Sequence, residues 1–123
     1  MLWRPPRPDV ERYYAALDMA VHPACFEAFG LTVVEMMACG VPVWLPRTVG
    51  AAELLPAAAQ AGLPARAEPA RLAADLAAWL ADPELRARWR AWGLAAVAPC
   101  RLAAHREAFF GYCRRAGLVL PPG

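Results

Sequence analysis

Glu27 and Glu35 stand eight positions apart, with Gly30 and Thr32 between them, in the stretch Glu-Ala-Phe-Gly-Leu-Thr-Val-Val-Glu. A carboxylate accepts strongly and can grip two neighbouring hydroxyls of a sugar ring. Gly30 supplies a turn, since a residue without Cβ takes left-handed backbone angles and lets a ligand approach the main chain. Thr32 precedes Glu35 by three, the capping-box spacing that opens a helix. A helix mouth exposes unpaired N–H groups and a partial positive charge, so residues 30–33 would present hydrogen-bond donors to a phosphate. The ligand that fits is phosphorylated and rich in hydroxyls. Each carboxylate also has a plainer reading: Glu35 reaching back to the Thr32 backbone to complete the cap, and Glu27 as an exposed loop carboxylate.

The flanking segments must hold this span in place. Residues 1–8, with Pro5, Pro6 and Pro8, read as a loose lead-in. Residues 9–17 predict a short helix with Val10, Tyr13, Tyr14 and Leu17 on one face. Residues 19–22 predict a short strand closed by Pro23. A helix over 32–39 ends at Gly40, with Pro42 just beyond. Residues 41–45 form an apolar run bounded by prolines, as in a strand buried on both faces of a parallel sheet. A loop through Thr48 and Gly50 opens a helix over 51–60, and this alternation of strand, loop and helix predicts an α/β fold.

Three more helices follow Gly62. The first starts at Pro69 with Leu72, Leu76, Trp79 and Leu80 on one face. The second is capped by Asp82, has Pro83 at its first position, and carries Leu85, Trp89, Trp92 and Ala96. The last, after Pro99, carries Leu102, Phe109, Cys113 and Ala116. These stripes read as core.

A chain of 123 residues suffices for one domain with a modest core. Its 59% hydrophobic and 20% charged content excludes a disordered chain. The net charge of +2 gives no case for nucleic acid. All 13 basic residues are arginine. Those at 86, 88, 90, 101, 106, 114 and 115 read as solvated helix faces, with contact to anionic lipid as the second reading. Cys25, Cys39, Cys100 and Cys113 show no C-x-x-C or metal-ligand spacing and predict buried thiols in a reducing compartment. His22 and His105 stand alone and read as structural. With neither a secretory-signal pattern nor an eighteen-residue apolar run, the expected location is cytoplasmic, with peripheral contact to the inner face of the membrane left open.

The longer string DMAVHPACFEAFGLTVVEMMACGVPVWLP, residues 18–46, resembles the donor-site core of retaining family-four glycosyltransferases, which have the two-domain GT-B fold. The residues that match are Glu27, Glu35, Cys39, Gly40 and Pro42, followed by TVGAAEL at 48–54, which resembles the family's glycine-containing loop. The resemblance implies a partial Rossmann-like parallel sheet with flanking helices and a helical C-terminus, residues 9–120 forming part of a C-terminal nucleotide-sugar-binding domain. It implies that Glu27 faces the transferred sugar near the reacting carbon, as the catalytic carboxylate. It implies that Glu35 holds the two ribose hydroxyls, and that the peptide groups of Phe29, Gly30, Leu31 and Thr32 bind sugar hydroxyls and phosphate oxygens. The Phe29 ring itself is expected in the core.

The implied reaction moves a hexose, with retention, from a nucleotide-diphosphate sugar to a sugar or lipid-linked acceptor, with no metal and no cofactor beyond that sugar donor. A whole enzyme of this kind needs roughly two to three times this length. The expectation is therefore a part that lacks the acceptor half and is inactive alone, with the missing N-terminal domain supplied by a separate chain. Relatives hold the diphosphate with an upstream arginine and lysine, and this chain has no lysine. The alternatives are a non-catalytic fragment and an interaction domain.

Overall fold

The structure, a computed structural model, describes residues 8–117. Residues 1–7 of the lead-in and 118–120 of the expected domain lie outside the described residues. The chain begins with a short helix α1 (Val10–Ala15), strand β1 (Ala20–Val21), helix α2 (Leu31–Ala38) and strand β2 (Val43–Trp44). The strands pair in parallel, Ala20 opposite Val43 and Val21 opposite Trp44, so β1-α2-β2 is the crossover unit predicted from the alternation. Both strands are shorter than their apolar runs. Proline has no N–H to donate, and Pro23, Pro42 and Pro46 stand where the ladder would otherwise continue. Two further bonds prolong the pairing: the Ala20 N–H donates to Pro42 O at 2.9 Å and the His22 N–H to Trp44 O at 2.8 Å.

Residues 41–46 are buried throughout, as a strand covered on both faces requires. Helix α2 packs its Val33, Met36 and Met37 into the same core. Its end is a Schellman motif: Gly40, at φ +75°, donates to Met37 O at 2.9 Å, and Val41 donates to Met36 O at 3.0 Å. These bonds satisfy carbonyls that the helix leaves open and turn the chain directly into β2.

The helix expected over 51–60 forms as two pieces, a 3-10 turn (Gly50–Leu54) and helix α3 (Ala57–Gly62). Pro56 is the cause, because its ring forces Leu55 into extended backbone (ψ 150°). Helices α4 (Pro69–Ala81) and α5 (Pro83–Val97) follow, with Asp82 accepting from the Leu85 N–H at 3.0 Å and Pro83 in the first turn, as the sequence predicts. Gly93 of α5 lies against Met37 of α2, where an added Cβ would stand 3.2 Å from the Met37 Cγ, so the two helices approach closely there. Trp79 and Trp89 are buried and stack at 5.1 Å between centroids, with the Trp92 ring edge-on to Trp89. The buried Trp44 indole donates to Asp75 Oδ2 at 2.9 Å, and Arg71 grips both oxygens of Asp75 and the Gly62 carbonyl. That network ties β2 to α4.

Four expected packings differ. On α4, Trp79 is buried but Leu80 is 66% exposed. The stripe on the last helix, α6 (Leu102–Arg115), is not core: Leu102 is 82% and Phe109 55% exposed, and only Cys113 is buried. This helix packs chiefly on the 3-10 turn Ala98–Cys100 before it. On and just after α1, Val10, Tyr13 and Leu17 are exposed, and of that stripe Tyr14 alone packs against the core. Of the cysteines, all free, Cys25 and Cys100 are exposed and Cys39 half-buried, because two sit in loops and turns rather than on core faces. Trp44→Phe removes the indole N–H and leaves a void; we expect it to cost about 2–4 kcal/mol in urea unfolding.

Candidate functional site

Two loops leave the C-terminal ends of the parallel strands, residues 22–30 after β1 and 45–50 after β2, the edge where open α/β sheets bind ligands. They are strapped together. The Glu27 N–H donates to Thr48 O at 3.2 Å, the Gly50 N–H to Glu27 O at 3.0 Å and the Ala51 N–H to Phe29 O at 2.6 Å. Glu27 and Val49 form an isolated parallel bridge, and the Thr48 hydroxyl donates to Ala24 O at 3.2 Å. Backbones this close leave no room for a side chain, and an added Cβ at Gly50 would stand 2.2 Å from Ala28 O. Gly50 therefore positions the whole loop that carries Glu27, a role the carboxylate spacing did not disclose. The signal was there in the glycine after Thr48-Val49, directly behind a buried strand.

Gly30 ends the strapped loop at φ +88° and ψ +62°, left-handed angles as its position before a helix predicted. Its carbonyl accepts from the Val33 N–H at 3.0 Å and the Val34 N–H at 3.3 Å. Among the described residues the amides of Gly30, Leu31 and Thr32 have no partner, so they form the open mouth of α2. The Phe29 N–H is turned to the Glu27 carboxylate, donating to Oε1 at 3.3 Å. The Glu27 stem also lies over Gly30, 3.4 Å from where a Cβ would be. Glu27 is half-buried and thus set at the lip of an amide-lined mouth, which is the arrangement that can face a hydroxyl-rich, anionic ligand.

Glu35 departs from the expected cap. Gly30, not Thr32, is the residue before the helix, and no side chain caps it. Thr32 lies inside the first turn, and the Glu35 carboxylate is turned outward, accepting from the Tyr14 hydroxyl of α1 at 3.5 Å. That phenol is held above its ordinary pKa of 10.0, first by burial, then by the negative charge of Glu35 and the hydrogen bond to it. Phe29 also departs: its ring is 42% exposed rather than core, because the bond to Ala51 fixes its carbonyl inward and leaves the side chain outside. With Phe26, 81% exposed, and Leu31 it forms an apolar rim.

The structure thus brings together Glu27, Phe29, Gly30 and the amides of Leu31 and Thr32. Glu35 stands one turn further along α2, on the side of α1. The mouth is rimmed by exposed residues, Phe29, Leu31, Thr32 and Glu35, and cavities of about 530, 380 and 150 Å³ lie elsewhere, at α6, between α1 and α5, and in the tryptophan core. Among the described residues no group of three His, Cys, Asp or Glu side chains could hold a metal ion.

Two outcomes check this geometry. Gly50→Ala should destabilise the chain by about 3 kcal/mol, the upper end for a forced contact, as a fall in the urea midpoint. The Tyr14 phenol, isolated as the difference in alkaline absorbance titration between the parent and Tyr14→Phe, should ionise above 10.0 and move down in Glu35→Gln. Because the folded pKa is the raised one, the stabilisation this phenol gives is complete below pH 10 and is lost as the pH rises through the folded value.

A family model described as glycosyl transferases group 1 matches residues 1–93. A D-inositol 3-phosphate glycosyltransferase of Segniliparus rotundus is 34% identical over 93 residues, 76% of this chain and 20% of that protein. The O-antigen chain mannosyltransferase B of Escherichia coli is 43% identical over 56 residues, 41% of this chain and 15% of the relative. A sucrose synthase of Solanum tuberosum is 48% identical over 48 residues, 38% of this chain and 6% of its own length. The chain therefore spans a fifth or less of each of these relatives. No solved structure gives a significant match. With the model covering most of the chain, through the crossover, the strapped loops and the helix mouth, the protein belongs to the group 1 glycosyl transferase family.

Proposed function

We infer that residues 9–120 act as the sugar-donor side of a retaining glycosyltransferase, the C-terminal part of a GT-B enzyme that moves a hexose from a nucleotide-diphosphate sugar to a sugar or lipid-linked acceptor. The observation that carries this reading is the open, amide-lined mouth of α2 behind Gly30, with the Glu27 carboxylate at its lip. The amides of Gly30, Leu31 and Thr32 bind diphosphate or sugar oxygens, and Glu27 faces the transferred sugar. Glu35 takes the ribose hydroxyls by exchanging its long bond to Tyr14 for two shorter ones. The leaving diphosphate assists the incoming hydroxyl on the same face of the sugar. The chain contributes position and stabilisation of the negative charge that grows on the leaving group.

A second reading is favoured by the openness of the site. Glu35, Phe29, Leu31 and Thr32 are all exposed, and the preorganised electrostatics of catalysis need a site from which water is excluded. In this reading the chain binds the sugar donor but turns it over only when a separate N-terminal half closes the cleft.

Calorimetric titration with UDP-, GDP- and ADP-sugars tests the first reading. One of them should bind, and Glu35→Ala should weaken it roughly tenfold to a thousandfold, the loss of two charge-assisted bonds. Absence of binding to all three, or indifference to Glu35→Ala, removes the assignment.

A further inference from the structure

Away from the mouth of α2, the described residues hold no helix long and apolar enough to cross a membrane, but they do hold a charged cleft. It measures about 380 Å³, within the range of small-molecule sites, and lies between the end of α1 and one face of α5. Asp18 and Pro42 line it and stand just before β1 and β2, so it opens at the edge of the sheet opposite the strapped loops. Arg86 and Arg90 enter it from successive turns of α5. Two cations at that spacing repel each other, and no carboxylate neutralises them: Asp18 lines the same cleft but forms no ion pair with either.

The two guanidinium groups are held differently. Arg86 is half-buried, and its Nη1 donates to the carbonyls of Trp79 and, at 3.0 Å, Leu80, which leaves Nε and Nη2 unspent. Arg90 has no hydrogen bond or ion pair among the described residues. Its Nη2, Cζ and Nε lie 3.0, 3.1 and 3.2 Å from where a Cβ of Gly40 would be, so the guanidinium lies flat over the bare glycine. Gly40 is therefore fixed twice, by its left-handed φ of +75° and by the arginine that covers it. A cation packed in place with its donors free is a preorganised half of an anion site.

We propose that this cleft binds a small polyol phosphate, its phosphate gripped by Arg86 and Arg90 and one of its hydroxyls donating to Asp18. A phosphomonoester carries close to two negative charges at neutral pH, matching the two arginines, and the planar guanidinium fork suits its oxygens. Asp18 selects the rest of the ligand. An ionised carboxylate only accepts, so it rejects a second anionic group and favours a donor. An ammonium donor would meet the repulsion of two guanidinium groups, which a hydroxyl does not. Glu27 and the open amides lie at the other edge of the sheet, so this occupant is distinct from a sugar donor bound there.

The test is calorimetric titration of the full chain with inorganic phosphate, glycerol 3-phosphate and glycerol. Glycerol 3-phosphate is expected to bind most tightly, inorganic phosphate more weakly and glycerol not at all. Arg90→Gln, at an exposed position where far-UV circular dichroism checks that the fold is intact, should weaken both phosphates roughly tenfold to a hundredfold. Asp18→Ala, also exposed, should tighten inorganic phosphate by removing a like charge and abolish the advantage of glycerol 3-phosphate. The proposal is overturned if neither phosphate binds at millimolar concentration, if binding is unchanged in Arg90→Gln, or if the preference for glycerol 3-phosphate survives Asp18→Ala. Phosphate held by the amides of α2 would persist in Arg90→Gln, so this proposal and sugar-donor binding at α2 fail separately.

Discussion

Ala28 and Gly50 stand so close that no side chain fits between their backbones, and the candidate site is built on that contact. Two parallel strands of two residues each provide too little hydrogen bonding to orient the loops that leave them. The ladder is instead continued by loop-to-loop bonds from Glu27 to Thr48 and Gly50 and from Phe29 to Ala51. These fix the backbone on which Glu27 sits and aim the chain into Gly30, whose left-handed angles open α2. Val49, fully buried, fills the space beneath Gly30, where a Cβ would stand 3.0 Å from its Cγ1. Two glycines and one valine thus define where the unpaired amides point.

The core behind the strap explains why the loops can be set so tightly. Residues 41–46 are wholly buried, α2 is delivered into β2 by a Schellman turn without slack, and Gly93 lets α5 approach α2 at Met37. The Trp44–Asp75–Arg71 network is the one polar tie across this core among the described residues that joins a strand to a later helix. The Arg71–Asp75 pair is half-exposed on the arginine side, so its own strength is small. Its contribution lies in giving the buried indole N–H an acceptor, since an unpartnered buried donor would cost more than the bond gains.

Much of this was legible in the sequence, and the failures have identifiable causes. The parallel crossover, the burial of 41–45, the Gly40 terminus and the Asp82-Pro83 start all followed from residues whose local chemistry leaves little choice. The capping box at Thr32–Glu35 did not form, because spacing alone cannot tell a cap at Thr32 from a left-handed glycine two residues earlier, and Gly30 supplied the turn first. The single helix over 51–60 broke at Pro56, which helical periodicity in an alanine-rich stretch had masked. The stripe of α6 has the right period for a core face, yet periodicity says only that one side is apolar and never what covers it. The Gly50 contact is long-range, between segments some twenty residues apart, so the glycine behind the buried strand marks a tight approach while local pattern does not name Ala28 as its partner.

Electrostatics set the remaining constraint on the site. In the proposed reading, a nucleotide diphosphate would bring several negative charges to a mouth already flanked by Glu27 and Glu35, within a region where carboxylates outnumber arginines. The open amides and partial dipole of α2 contribute about 0.3–2 kcal/mol toward an anion, and the like charges of Glu27 and Glu35 oppose it. Of the residues on the two strapped loops, 22–30 and 45–50, only Arg47 is cationic. On that reading, tight binding would require positive charge beyond the mouth itself, from Arg47 or from a protein segment that closes over the open surface. Such closure would exclude water as well, strengthening the same amide contacts that are weak while the mouth is exposed.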